Sequence, residues 1–250
     1  MGTVPGTTLV TRRPTSPPLA STAMRFVLVR HGEPAWVDGG VNRDDPRLTD
    51  RGRRQAMLTA GVLAAMRIDH VWVSPKLRAR QTSEPFLELT GMDGHVHPFL
   101  EEIRSPVWEG TDHDVMEIFN ANRRRDPAAQ WTGLDGGEAV DAFHDRVTDG
   151  FAEQLGALGA RRSGHDLPTW SIDGGVDPET TILVFAHAGT NSMLMSLLLG
   201  VPAVPWEWER FVTFHASISQ ATTIPIGDGH AFSLRRLSDV AHLPTDHHTR

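Results

Sequence analysis

The chain has 250 residues, 39% of them hydrophobic and 22% charged, a usage that argues against a fibre and against wholesale disorder. Its formal charge of −7 argues against a nonspecific nucleic-acid binder, because counterion release needs a basic surface. The absence of cysteine excludes disulfides, thiol catalysis and cysteine-ligated metal, and fits a reducing, cytoplasmic location.

Residues 1–23, "MGTVPGTTLVTRRPTSPPLASTA", hold prolines and arginines but no acidic residue and no apolar segment, and read as a disordered leader outside the fold. From Met24 short apolar runs alternate with helix-length periodic segments, the pattern of a largely parallel sheet. The first two runs are "RFVLV" and "HVWV". Between them "LTDRGRRQAMLTAGVLAAM" predicts a helix with Thr49 as N-cap and Ala56, Leu58, Val62, Leu63 and Met66 on its apolar face. Further helices are expected to start near Leu77, Thr111, Gly137 and Thr190, and further strands at "TILVFA", "SISQATTIPI" and "AFSLRRL". Arg123, Arg124 and Arg125 read as a solvated helix end. The polar stretch 160–180 predicts a surface loop, and the tail "PTDHHTR" a frayed end. The longest apolar stretch, Ser192 to Val204, is too short and too interrupted to span a bilayer, so no membrane partner is expected.

Two apolar runs end alike: "FVLVRHG" delivers His31 and "TILVFAHAG" delivers His187, each followed by small residues. Ligands of open α/β sheets bind beyond the carboxyl ends of the strands, so both histidines are expected to face one crevice. The helix after His187 would turn its unpaired amides toward the same place, and Arg30 adds a permanently charged fork beside His31. Together these are the ingredients of a phosphoryl pocket.

The chain from about Met24 to about Ser219 resembles the histidine phosphatase superfamily, which includes the cofactor-dependent phosphoglycerate mutases. The resemblance is carried by "RHGEPAW", "LTDRGRRQA", "SPKLRARQT", "LEEIRSPVWEG", "GGEAVDAFHDRV" and "VFAHAGT", in that order. It implies an α/β fold of three α/β/α layers around a mainly parallel sheet, with residues 24–250 as one domain and a helical cap near 111–160. It also implies a metal-independent phosphatase that needs no cofactor and hydrolyses small phosphorylated metabolites through a phosphohistidine intermediate. His31 would be the nucleophile, Glu102 the proton donor, and Arg30, Arg78 and His187 the phosphate-binding groups. A mutase-type transfer and a non-catalytic binder are the alternatives, and a homodimer is left open.

The pattern departs from the family at Val37, Pro106 and Ala188, and the segment from Glu109 to Trp131 is too short for the insertion with which mutases grip a phosphoglycerate. That favours the phosphatase. Trp36, Arg104, Trp108 and His113 are the candidate residues of a selectivity pocket.

Overall fold

A computed structural model describes residues 24–38, 41–106, 112–164, 167–172, 177 and 179–250. In chain order the elements are β1 (Arg25–Arg30), β2 (Val37–Asp38), β3 (Val41–Asn42), α1 (Asp50–Leu63), β4 (His70–Val73), α2 (Leu77–Thr90), β5 (His95–Val96) and α3 (Asp112–Arg123). They continue with α4 (Val140–Ala157), β6 (Ala160–Arg162), β7 (Trp170–Ile172), β8 (Thr181–Ala186), α5 (Ala188–Leu199), the single turn α6 (Glu207–Arg210), β9 (Ile218–Ile226) and β10 (Gly229–Asp239). The leader lies outside the described residues.

Eight strands form one sheet in the order β5-β4-β8-β1-β9-β10-β7-β6. The half from β5 to β1 is parallel, and from β1 onward every neighbour is antiparallel. The α/β sandwich is as expected, with a mixed sheet whose parallel half carries the two histidine-bearing strands.

Strand alternation sorts the core into two layers. Phe26 and Leu28 of β1 and Ile182 and Val184 of β8 meet Phe143, Val147 and Phe151 of α4 and Leu194 of α5. Val27 and Val29, with Leu183 and Phe185, face the other way onto Ala60 and Leu63 of α1 and Phe86 of α2. β8 is buried along its whole length, which is why it reads as an unbroken apolar run.

Three expectations are corrected here. The inner face of α1 is Gly52, Gln55, Ala56, Thr59, Ala60 and Leu63, while Leu58 and Val62 face outward, because buried hydrogen bonds hold polar Gln55 and Thr59 inside. The stretch 160–180 is more than a surface loop: β6 and β7 extend the sheet edge, and Trp170 is buried against Phe232. α4 belongs to the sandwich layer and not to a cap, since Val140, Phe143, Val147, Phe151 and Leu155 are all in the core.

The loop after β1 is clamped to the start of α1. Thr49 caps the helix by accepting from the Gly52 amide at 3.0 Å, and its hydroxyl donates to Glu33 Oε1 at 2.8 Å. The two backbones cross at glycines: a Cβ on Gly32 would lie 2.6 Å from the Gly52 carbonyl oxygen, and one on Gly52 would overlap the Glu33 carbonyl. Gly52→Ala is therefore expected to cost about 1–3 kcal/mol as overpacking. Urea denaturation checks this, and unchanged stability would show that the loop carrying His31 yields freely.

Candidate active site

β1 and β8 are parallel neighbours with Arg30 opposite Ala186, so the residues that follow them emerge at the same edge of the sheet. The His31 amide still donates to the Ala186 carbonyl at 2.9 Å, and the His31 and His187 rings lie 5.1 Å apart between centroids. Both histidines are buried. His31 Nδ1 is 2.8 Å from the Gly32 carbonyl oxygen, which can only accept, so the ring proton is on Nδ1 and the lone pair on Nε2. His187 Nε2 is 2.7 Å from the hydroxyl of Ser74, which follows β4, and its Nδ1 is buried without a partner among the described residues. When the serine donates, the proton of neutral His187 sits on that unpartnered Nδ1.

Two guanidinium groups approach the histidines. Arg30, the last residue of β1, donates from Nη1 to the Thr213 carbonyl at 2.6 Å and reaches His215 Nε2 from Nη2 at 3.0 Å. Arg78, in the first turn of α2, lies over the Trp36 ring at 5.1 Å and makes long contacts of 3.5 Å to the Asp44 carbonyl and to Asp45 Oδ1. Among the described residues the Nε groups of both arginines are buried without a partner. Glu102 accepts from the Ile103 amide at 3.0 Å and from the Gly189 amide, in the first turn of α5, at 2.9 Å. A Cβ at Gly189 would overlap that carboxylate, so glycine permits the approach. This helix amide, expected to face a phosphate, is thus engaged by Glu102.

Burial first, and then the charges of Arg78, His187, Arg30 and His215, hold His31 well below the usual histidine range. Burial followed by Arg78 and Arg30 does the same to His187. Burial pulls Arg30 down to about 10 against the opposing effect of Glu102, with Arg78 and Arg250 adding to the pull. Arg30 at that value is still a cation near neutrality, whereas the histidines are neutral.

A cleft of about 600 Å³ opens over these groups, lined by Arg30, Arg78 and Glu102. His31 and His187 are too buried to line the open space and lie beneath it. Of the expected selectivity residues, Trp36 lines the cleft. Arg104 does not, because its guanidinium turns to Glu101 at 2.9 Å. Trp108 and the side chain of His113 lie outside the described residues. Met116 and Phe119 of α3 and Trp208 of α6 also line the cleft. Arg123, expected in a solvated helix end, lines the cleft and pairs with Glu209, while Arg125 donates to the Ala129 and Gly133 carbonyls at 2.7 Å.

Sequence reasoning missed His215, whose ring lies 5.5 Å from that of His31. β9 is antiparallel to β1, so the segment just before it, with His215 three residues ahead of Ile218, arrives where parallel strands deliver the residues after them. The signal was "FHAS" directly ahead of an apolar run. The tail is not frayed: Gln55 of α1 donates to the His247 carbonyl at 2.7 Å and to Thr249 Oγ1 at 3.0 Å, and Arg250 lines the cleft.

The sequence profile of the histidine phosphatase superfamily (branch 1) matches residues 26–165, more than half of the chain, and the protein belongs to that family. Phosphoserine phosphatase 1 of Hydrogenobacter thermophilus is 28% identical over 187 residues, which cover 71% of this chain and 77% of the relative. The adenosylcobalamin/alpha-ribazole phosphatase of Salmonella typhi is 29% identical over 214 residues, covering 83% and 93%. Among solved structures, a mycobacterial glucosyl-3-phosphoglycerate phosphatase with inorganic phosphate shares the fold, with a TM-score of 0.65 and 24% identity over 88% of this chain and 99% of that one.

The buried histidines make stability depend on pH. Unfolded histidines take up protons below about pH 6.5, whereas His31, His187 and His215 stay neutral in the fold to well below that value. The unfolded state then binds more protons, so stability falls as pH drops below about 6.5. Three such groups correspond to a slope of about 4 kcal/mol per pH unit at most. Urea denaturation stepped from neutral to mildly acidic pH measures it; a flat profile would mean that the three rings titrate freely in the fold.

Proposed function

We propose that the protein is a phosphomonoesterase that works through a phosphohistidine on His31. The observation that carries the reading is that Arg30, Arg78 and His187, three residues whose charges act on His31, each hold a buried nitrogen without a partner among the described residues, respectively Nε, Nε and Nδ1, while the His31 lone pair is on Nε2. Buried donors without partners are costly, and a phosphoryl group with its several acceptor oxygens satisfies them together.

In the first step the His31 Nε2 lone pair forms a bond to phosphorus as the bond to the ester oxygen breaks, and Glu102 in its acid form delivers a proton to that leaving oxygen. In the second, water attacks phosphorus, the N–P bond breaks and its electrons return to Nε2. Glu102, now a carboxylate, takes the proton from the water, and phosphate leaves. Splitting the displacement in two and supplying the proton are what a nucleophile and an acid–base pair contribute. The arginines and His187 stabilise charge that develops on the non-bridging oxygens. The Gly189 and Ile103 amides fix the orientation of the carboxyl group.

The walls support a substrate with a sizeable apolar body. Trp36, Ile103, Met116, Phe119 and Trp208 supply apolar wall, beside charged residues such as Arg43, Lys76 and Arg123, to a cleft within the range of about 300–1,000 Å³ that suits metabolite-sized ligands. Relatives named for phosphoserine and for alpha-ribazole show that related chains carry different substrate names, so the walls of this chain are the guide.

Hydrolysis of p-nitrophenyl phosphate in EDTA tests the reading, with wild type expected to release p-nitrophenol and His31→Ala to release none; unchanged release in the variant would sink the mechanism. Glu102→Gln is expected to lose about 10²–10⁴-fold on alkyl phosphates, whose leaving oxygen needs a proton, and much less on p-nitrophenyl phosphate. Equal losses on both would remove Glu102 from the proton-donor role. An aryl phosphate that buries about 60 Å² more apolar surface than glycerol phosphate should have a KM about tenfold lower; no difference in a substrate series would remove the apolar wall from the account.

A further inference from the structure

Arg30, His215, Thr249 and Gln55 form a hydrogen-bonded chain whose direction is set by groups that can only donate or only accept. A guanidinium has no acceptor, so Arg30 Nη2 donates to His215 Nε2 across 3.0 Å and that nitrogen carries no proton. The proton of the neutral ring is on Nδ1, which donates to Thr249 Oγ1 at 2.9 Å. The Glu33 amide donates to Gln55 Oε1 at 2.8 Å, which leaves Gln55 Nε2 as the donor to Thr249 Oγ1 at 3.0 Å. Thr249 accepts both bonds with its two lone pairs.

The surroundings hold His215 in this state. The residue is 4% exposed, and burial together with the Arg30 and Arg78 charges keeps its ring neutral. Ala216 beside it has φ of 55°, a left-handed backbone that is strained for a non-glycine residue. Its amide is bonded to the carbonyls of Arg30 at 3.0 Å and His31 at 3.1 Å, so the strained turn is tied to the strand end that carries both residues.

We infer that His215 is a positioning residue that aims the Arg30 guanidinium at the phosphoryl group, and that the C-terminal segment, through Thr249, holds His215 in the tautomer that can do so. The inference rests on reading Arg30 as a phosphoryl-binding group. Two anchors, the Thr213 carbonyl on Nη1 and His215 on Nη2, fix the plane of the guanidinium and hence the direction of its unpartnered Nε–H. Without the second anchor the plane can turn, and a displacement of about 1 Å at a reacting centre costs about 10²-fold in rate.

The test compares wild type with three variants, by calorimetric binding of inorganic phosphate and by kcat/KM for p-nitrophenyl phosphate. His215→Phe keeps a ring and removes the acceptor; His215→Gln restores an acceptor. Thr249→Val removes the Nδ1 partner at a partly exposed position, where folding is not at stake. His215→Phe is expected to lose about 10–100-fold in kcat/KM and to weaken phosphate binding in parallel, with most of both losses recovered in His215→Gln and a smaller loss of each in Thr249→Val. A His215→Phe variant equal to wild type, or a His215→Gln variant no better than His215→Phe, would overturn the inference. Should the His215 variants not fold, unchanged phosphate affinity in Thr249→Val would overturn it instead. Wild type that binds phosphate without turnover would sink the phosphatase reading alone, and the affinities would still decide the positioning role; wild type that binds no phosphate would overturn both.

Discussion

The parallel pairing of β1 with β8, in a register that ends both strands level, is the constraint from which the site follows. It brings His31 and His187 to one edge of the sheet, one residue beyond Arg30 and Ala186. β4, on the far side of β8, ends there too and supplies Ser74 to the second histidine. β9, on the far side of β1, begins there and supplies His215. A slip of one residue in β1 would exchange Phe26 and Leu28 with Val27 and Val29 between the two core layers and carry His31 away from the edge. Packing and chemistry therefore select the same register.

The same edge separates two kinds of nitrogen base. Burial and mutual repulsion act on all of them, yet the outcome differs because their ordinary pKa values differ. Arg30, lowered to about 10, is still charged near neutrality, and the histidines, starting near 6.5, are not. One field thus yields fixed cations beside a neutral imidazole with a free lone pair, the combination that the proposed phosphoryl transfer requires. Glu102 is the carboxylate whose charge acts most strongly on Arg30 and Arg78, and it lines the cleft with Ile103 and Pro106.

How much of this was legible in the sequence depended on whether a feature was local. Apolar runs that stop at "RHG" and "AHAG" placed His31 and His187 correctly, and Thr49 was readable as a cap because its partner is three residues away. The inner face of α1 was not readable. Gln55 and Thr59 are buried by bonds to Glu33, His247 and Ala216, up to 192 residues distant, and hydropathy registers apolar burial without registering such bonds. β6 and β7 were hidden for the related reason that a short edge strand is defined by its neighbour β10, and its own composition is that of a loop. The resemblance placed α4 in a cap; its amphipathic period shows that it packs, and only the sheet beneath shows where.

The walls of the cleft belong to the illegible part, and their construction explains why. Glu209 of α6 pairs with Arg123 of α3 and, at 3.4 Å, with Arg250 of the tail, so three segments far apart in sequence meet on one carboxylate. None of the three takes part in the ladder that joins β1 to β8. Loops and helices in such a wall can change length and composition without moving the strand ends that carry the histidines. A histidine-bearing edge written in short local motifs and a pocket assembled from distant segments are under separate physical constraints. That separation leaves the wall free to vary while the strand ends stay fixed, which fits a family whose members are named for substrates as different as phosphoserine and alpha-ribazole.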